Sequence, residues 1–226
     1  MQQKPQWKWN ESIYPLGLFT VDPASIFVAR NSRFKSLADV IAAAKVKPVT
    51  FAISQWQSED TLLLFQIQEL TGAKFQMIPH DVSTQVMAQV IGGNIEVGIL
   101  KQGNVQLGGD AVRVLAVDMP KNAIPELTNN APTVQEIVGA PVISAYSYKA
   151  YSVHPDFVKK NPAQARRLEE TFHQTLQDPK FIAAAKALGV SPKLLLDFTS
   201  EEIQDKIVQP VMETYRRFGE AFNRKN

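Results

Sequence analysis

The chain has 226 residues, 45% of them hydrophobic, with 24 Lys and Arg against 22 Asp and Glu, which is typical of a globular protein of one large or two small domains. The absence of cysteine excludes disulfides, thiolate metal sites and cysteine nucleophiles, and three histidines leave little room for a histidine metal cluster. No basic run suggests a nucleic-acid partner, and no signal peptide is visible in residues 1–9.

Strand-like and helix-like patterns alternate along the first two thirds of the chain. After a short apolar run at 26–29, Ser36 and Asp39 form a capping box that opens a helix pattern. Strands over short loops between helices favour a parallel sheet built from βαβ units. The elements that follow are a strand at 49–53, a helix ending at Thr71-Gly72, a strand at 74–78, a helix from Ser83 to Ile91, and strands at 95–100 and 113–117.

The last third of the chain is mainly helical by pattern. Helices are predicted after Asn161, after Asp178 and from the capping box that begins at Thr199. The final helix is expected to extend to about Phe222 and to kink or break at Pro210, which lacks an amide hydrogen.

Four stretches in this order resemble the TctC/Bug family, the extracytoplasmic substrate-binding proteins of tripartite tricarboxylate transporters. They are Phe34–Lys45, Met77–His80 with Ser83 and Val90–Glu96, Val112–Val117 with Pro125–Glu136, and Phe181–Gly189. The resemblance implies a periplasmic-binding-protein type II-like α/β lobe at 28–145. Residues 1–27 and 146–226, with the C-terminal helices, would be the remnant of a first lobe.

Two departures from the family bear on the site. The family's first α/β segment, with its Gly-rich loop, precedes the point where this sequence starts, so a natural truncation, a split protein and a gene fragment all stay open. The family's second small-residue loop is replaced here by residues 54–58, followed by Glu59 and Asp60. Those carboxylates satisfy the dipole of the helix they open and are expected to repel an anionic ligand.

The predicted ligand contacts come from the loops that follow two strands. Ser54, Gln55, Trp56, Gln57 and Ser58 lie at the carboxyl end of a predicted parallel strand, where α/β sheets bind ligands. The alternative is a polar loop in which Ser58 is only a helix N-cap and Trp56 covers an exposed edge.

His80, Ser83 and Thr84 are the second group of predicted contacts, after the next strand. A catalytic Ser/His/Asp arrangement with Asp81 is disfavoured because residues so close in one turn seldom reach triad geometry. The alternative is a helix capped by Ser83 beside a loop histidine. Tyr146 is the remaining candidate: in the resembling family its segment faces the cleft, and the alternative is packing between alternating tyrosines.

The sequence therefore predicts a non-enzymatic protein that binds a small organic acid or related metabolite between two helix N-termini, without cofactor or metal. By resemblance it would be periplasmic and would deliver the ligand to membrane transporter subunits. The alternative is a protein-interaction module that no longer binds a small molecule. An apolar stripe on the C-terminal helices, including Leu176, Ile207 and Phe218, also predicts a second copy or a partner chain that supplies the missing lobe.

Overall fold

A computed structural model of the chain describes residues 11–144 and 146–223, and divides into two compact units. The larger unit is Asp22–Ser147 with Val211–Asn226, and the smaller is Met1–Val21 with Tyr148–Pro210. The predicted lobe at 28–145 differs from the larger unit because the strand Ala24–Ala29 pairs within that unit's sheet and the C-terminal helix also belongs to it. The predicted boundary residue 145 and the N-terminal stretch 1–9 lie outside the described residues.

The larger unit contains a five-stranded sheet in the order β4-β3-β5-β2-β6. Strand β3 pairs in parallel with β4 and β5, whereas β2 runs antiparallel between β5 and β6. The prediction of a parallel sheet is therefore correct for three strands and wrong for β2. A strand buried along its whole length, as β2 is, shows the same apolar run in either direction, so the sequence does not reveal its orientation. The strands are β2 Ala24–Ala29, β3 Val49–Ile53, β4 Phe75–Pro79, β5 Val97–Lys101 and β6 Val112–Val117.

Helices cover both faces of this sheet. Residues of opposite parity along the strands belong to two apolar clusters, since successive side chains of a strand point to opposite faces. One cluster packs against α1, α2 and α5, and the other against α3. The predicted capping box of Ser36 and Asp39 opens α1. The helices of the unit are α1 Leu37–Val46, α2 Glu59–Thr71, α3 Ser83–Ile91, α4 Gln102–Val105 and α5 Val134–Val138.

The smaller unit has a three-stranded sheet in the order β7-β1-β8 and four helices. Strand β1 pairs antiparallel with β8, with Leu18 opposite Phe198. Neither β1 nor β8 is predicted from the sequence. The elements are β1 Tyr14–Asp22, β7 Ser147–Val153, α6 Pro155–Lys160, α7 Pro162–Gln177, α8 Pro179–Ala187, β8 Leu195–Phe198 and α9 Ser200–Ile203.

The chain returns to the larger unit through an irregular helical segment. The predicted capping box of Thr199 and Glu202 opens α9, a π-helical turn follows at Gln204–Val208, and α10 spans Gln209–Asn223. The π turn comes directly before Pro210, whose missing amide hydrogen interrupts the regular α-helical bonding. None of the helices in the described ranges is both long and apolar enough to cross a membrane.

Part of the apolar stripe of the C-terminal helices packs within the chain. Leu176 and Ile207 are buried, and Phe218 stacks on Phe65 with ring centroids 5.8 Å apart. Phe172, Val211 and Tyr215 of the same stripe are half-buried, so a second copy or a partner chain over this surface stays a prediction.

Candidate functional site

A cavity of about 450 Å³ lies in the larger unit, where β3 and β5 end. The loops after these parallel strands and the first turns of α2 and α3 form its wall. This is the edge at which α/β sheets bind their ligands. Its lining residues are Ser54, Gln55, Ser58, Glu59, Asp60, Asp81, Val82, Ser83, Leu100, Lys101 and Asn104.

Hydrogen bonds among its own residues and the preceding loop satisfy polar groups at the start of α2. Ser58 is the N-cap, as predicted, and its Oγ accepts a bond from the Thr61 amide at 3.4 Å. The same hydroxyl donates to the Gln55 carbonyl at 2.9 Å, and the Thr61 hydroxyl donates to that carbonyl at 3.2 Å. The loop before α2 is thus fixed in place; Ser58 is confirmed as the helix N-cap, and it also lines the cavity.

The start of α3 is different. Its N-cap is Val82, in an extended conformation and without a side-chain cap, so the prediction that Ser83 caps this helix is wrong. The helix begins one residue earlier than predicted, so Ser83 is its first helical residue and not its cap. Gln85 accepts a bond from the Asp81 amide at 3.2 Å, a role the sequence reasoning missed. Among the described residues the Ser83 hydroxyl makes no hydrogen bond, and it lines the cavity.

A buried ion-pair cluster forms the floor of the cavity. Lys101 Nζ lies 2.5 Å from Asp60 Oδ1 and 3.2 Å from Glu59 Oε1, and the side chains of Lys101 and Asp60 are only 14% and 3% exposed. Burial raises the pKa of Asp60, although Lys101 opposes this effect. Burial lowers the pKa of Lys101, but Asp60 and Glu59 outweigh it, so the pKa of Lys101 is raised overall. Lysine 101 therefore stays charged at neutral pH.

The sequence reasoning missed Lys101, although the residue stands at the end of the apolar run that predicts β5. The available signal in the sequence is a lysine at the end of an apolar strand pattern, where β5 reaches the sheet edge. The cavity is lined by the acidic side chains of Glu59, Asp60 and Asp81 against this single lysine. Its wall therefore carries an excess of negative charge, as the acidic residues of the sequence led us to expect.

Several predicted contacts lie outside the cavity wall. Trp56 packs edge-on against Phe65, with centroids 6.0 Å apart, is half-buried against the core beneath α2, and does not line the cavity. Gln57 is exposed and does not line the cavity. Of the first predicted group, Ser54, Gln55 and Ser58 line it.

The second predicted group is also divided. The His80 amide donates to the Ile53 carbonyl at 2.9 Å, and its half-buried ring does not line the cavity. Thr84 lines an adjoining, smaller cavity. Tyr146 lines neither. Burial raises its pKa to about 12, against the opposing effect of its hydrogen bond with Ser144.

The described residues hold no group of three or more His, Cys, Asp or Glu side chains placed to bind a metal ion. The arrangement offers instead a set of hydrogen-bonding groups. The side chains of Gln55, Ser83 and Asn104 line the cavity and make no hydrogen bonds among the described residues. A polar small molecule can bind to such groups without any chemical change.

Comparison with known proteins supports this assignment of fold. No protein-family model matches the chain. The chain is 26% identical, over 190 residues, to a UPF0065 protein from the TAR-I ttuE-ttuC' intergenic region of Agrobacterium vitis; the match covers 82% of this chain and 53% of that protein. The chain thus spans about half the length of this curated relative.

Solved structures share the fold of this chain. A TctC solute-binding protein from Polaromonas superposes with a TM-score of 0.74 at 16% identity, over 93% of this chain and 70% of the other. The R. palustris protein Rpa4515, solved with adipate, gives a TM-score of 0.73 at 16% identity, over 96% of this chain and 72% of the other. The resemblance to the TctC/Bug family and the α/β fold predicted from the sequence are confirmed.

Proposed function

We propose that this chain, which shares the fold of TctC solute-binding proteins, binds a small organic acid or related metabolite of low negative charge in the cavity at the ends of β3 and β5. The observation that carries the proposal is the convergence of Gln55, Ser83 and Asn104 on that cavity. Polar side chains that lack partners and meet in a concave site at a sheet edge are typical of ligand binding.

The family resemblance supports the biological role. We infer that the protein acts outside the cytoplasm and passes its ligand to the membrane subunits of a tripartite tricarboxylate-type transporter. Adipate in the R. palustris structure makes small organic acids the first class to test. Adipate itself is a dicarboxylate, and this chain is expected to differ from that neighbour, because the excess of carboxylates around its cavity argues against ligands with two or three negative charges.

A ligand screen tests the proposal. Thermal unfolding is followed with a panel of neutral, zwitterionic, cationic, monocarboxylate, dicarboxylate and tricarboxylate metabolites. A ligand at 100 times its dissociation constant should stabilise the protein by about 2.7 kcal/mol. Calorimetry then gives the dissociation constant of each compound that raises the unfolding temperature.

Two glutamines of one loop provide a matched pair of variants. Gln55 lines the cavity and Gln57 does not, although both are exposed. Gln55→Ala should weaken binding about fivefold through the loss of one hydrogen bond, and Gln57→Ala should leave it unchanged. If no compound binds, the interaction-module alternative is favoured. Equal effects of the two variants would move the site away from this cavity.

A further inference from the structure

A second cavity of about 220 Å³ adjoins the first in the larger unit. Ser83 and Asn104 line both cavities, so the two lie side by side at the start of α3 and at α4; the pair of cavities is called the groove below. The other residues that line the second cavity are Thr84, Met87 and Leu107.

The wall of the second cavity is mainly apolar. Leu107 is 81% exposed, and Met87 is half-buried on the second turn of α3. A Cβ added to Gly108 would lie 3.0 Å from the Met87 sulfur, so the glycine allows this side chain to lie close against the turn after α4. An exposed leucine beside a methionine offers an apolar surface that a ligand can cover, which is favourable in proportion to the area removed from water.

The polarity changes along the groove. The first cavity contains the carboxylates of Glu59, Asp60 and Asp81 with the ammonium group of Lys101, whereas no charged side chain lines the second. A ligand that spans both must therefore have one end suited to negative surroundings and one end suited to an apolar wall.

Resting on the proposed function, and narrowing its ligand class from organic acids to related metabolites without a negatively charged head, we propose that the ligand is amphipathic. Its head carries an ammonium group or no charge and occupies the first cavity. Its short apolar tail lies on Met87 and Leu107 in the second. Ser83 and Asn104 stand where head and tail meet, and they hydrogen-bond to the inner part of the head.

A homologous series of probes tests the proposal. The n-alkylamines from propylamine to heptylamine are titrated at pH 7.5 by calorimetry, together with alkyl carboxylates of the same lengths. Amine affinity should rise about twofold to fourfold with each added methylene that covers the apolar wall. Each carboxylate should bind about tenfold more weakly than the amine of its length.

Two exposed leucines supply the variant and its control. Leu107→Ser should weaken the dependence on chain length, because only Met87 then remains as apolar wall, and should leave propylamine affinity unchanged. Leu188→Ser, at a position 84% exposed in the smaller unit, should leave the whole series unchanged.

The possible results separate this inference from the proposed function. A length dependence as steep in Leu107→Ser as in the unmodified protein, carboxylates that bind as tightly as amines, or a series with no binding at millimolar concentration would each overturn the amphipathic ligand. Binding of another compound from the metabolite panel, sensitive to Gln55→Ala, would then leave the proposed function standing. No binding from either the panel or the series would reject both.

Discussion

The substitution Lys101→Met tests the buried ion-pair cluster directly. In the protein Lys101 compensates Asp60, whose side chain is 3% exposed, and also contacts the more exposed Glu59. Methionine keeps much of the lysine's apolar stem but removes the charge. Asp60 is then left as a buried carboxylate without its cation.

We expect the free energy of unfolding to fall by about 3 kcal/mol. Breaking a buried ion pair by removing one partner costs about 3 to 5 kcal/mol, because the remaining charge is uncompensated. The lower end applies here because Asp60 lies in the first turn of α2, where the helix dipole favours a negative charge. Urea unfolding at pH 7.5, followed by circular dichroism, measures the difference.

A surface pair provides the control. Lys206 pairs with Glu202 one helical turn away, and both side chains are well exposed. Lys206→Met should therefore change the stability by only about 0.3 to 0.5 kcal/mol. If Lys101→Met costs no more than this control, the cluster does not compensate a buried charge and the reasoning fails.

The pH dependence of the same variant has a definite sign. Burial already raises the pKa of Asp60, and loss of Lys101 raises it further. A carboxyl group whose pKa is higher in the folded than in the unfolded state favours folding when it is protonated. The deficit of Lys101→Met relative to the unmodified protein should therefore shrink as the pH falls from 7.5 toward 5.

Three further predictions follow from the same structure. Ser58→Ala should lower the free energy of unfolding by about 1 kcal/mol through loss of the cap, whereas Ser83→Ala should change it by less than about 0.5 kcal/mol; urea unfolding compares the two. Gly98→Ala should lower the free energy of unfolding by about 1 to 3 kcal/mol, because the added Cβ would lie 2.5 Å from the Phe27 ring. Gly219→Ala, at a position in α10 where a Cβ meets open space, should raise it by about 0.5 to 1 kcal/mol; urea unfolding measures both. Citrate should bind more weakly than about 1 mM, since the cavity wall is already negative, and micromolar affinity by calorimetry would contradict this.

The sequence predicts most of the larger unit because its signals are local. The capping box at Ser36 and the alternation of apolar runs with helical patterns depend on neighbours within a few residues, as does the capping box at Thr199 in the smaller unit. Strand direction and the pairing of β1 with β8 depend on partners far apart in the chain. Leu18 and Phe198 lie opposite each other, and no local pattern of either segment encodes that pairing.

The site is predicted less completely for the same reason. The loop at 54–58 and the serine after β4 are found because sheet edges bind ligands, yet which side chains face the cavity depends on packing. Trp56 packs against Phe65 beneath α2 and does not line the cavity. Lys101 lies in the site because its ammonium group compensates the buried carboxylate of Asp60. The sequence alone does not show this pair, because the two residues meet only when β5 ends beside α2.

The two helix starts at the cavity differ in capping: α2 has a side-chain cap and α3 has none. This difference favours binding of the proposed ligand at α3. At α2 the Ser58 hydroxyl accepts the bond of the Thr61 amide, and the carboxylates of the first turn satisfy the positive end of the helix dipole. At α3 the cap residue is Val82, and no side chain caps the first turn. An uncharged ligand group that accepts hydrogen bonds, such as a hydroxyl, gains more at this second helix, which is also the side on which Ser83 and the apolar second cavity lie. The self-bonded loop before α2 thus leaves α3 as the end of the cavity with more free hydrogen-bond donors.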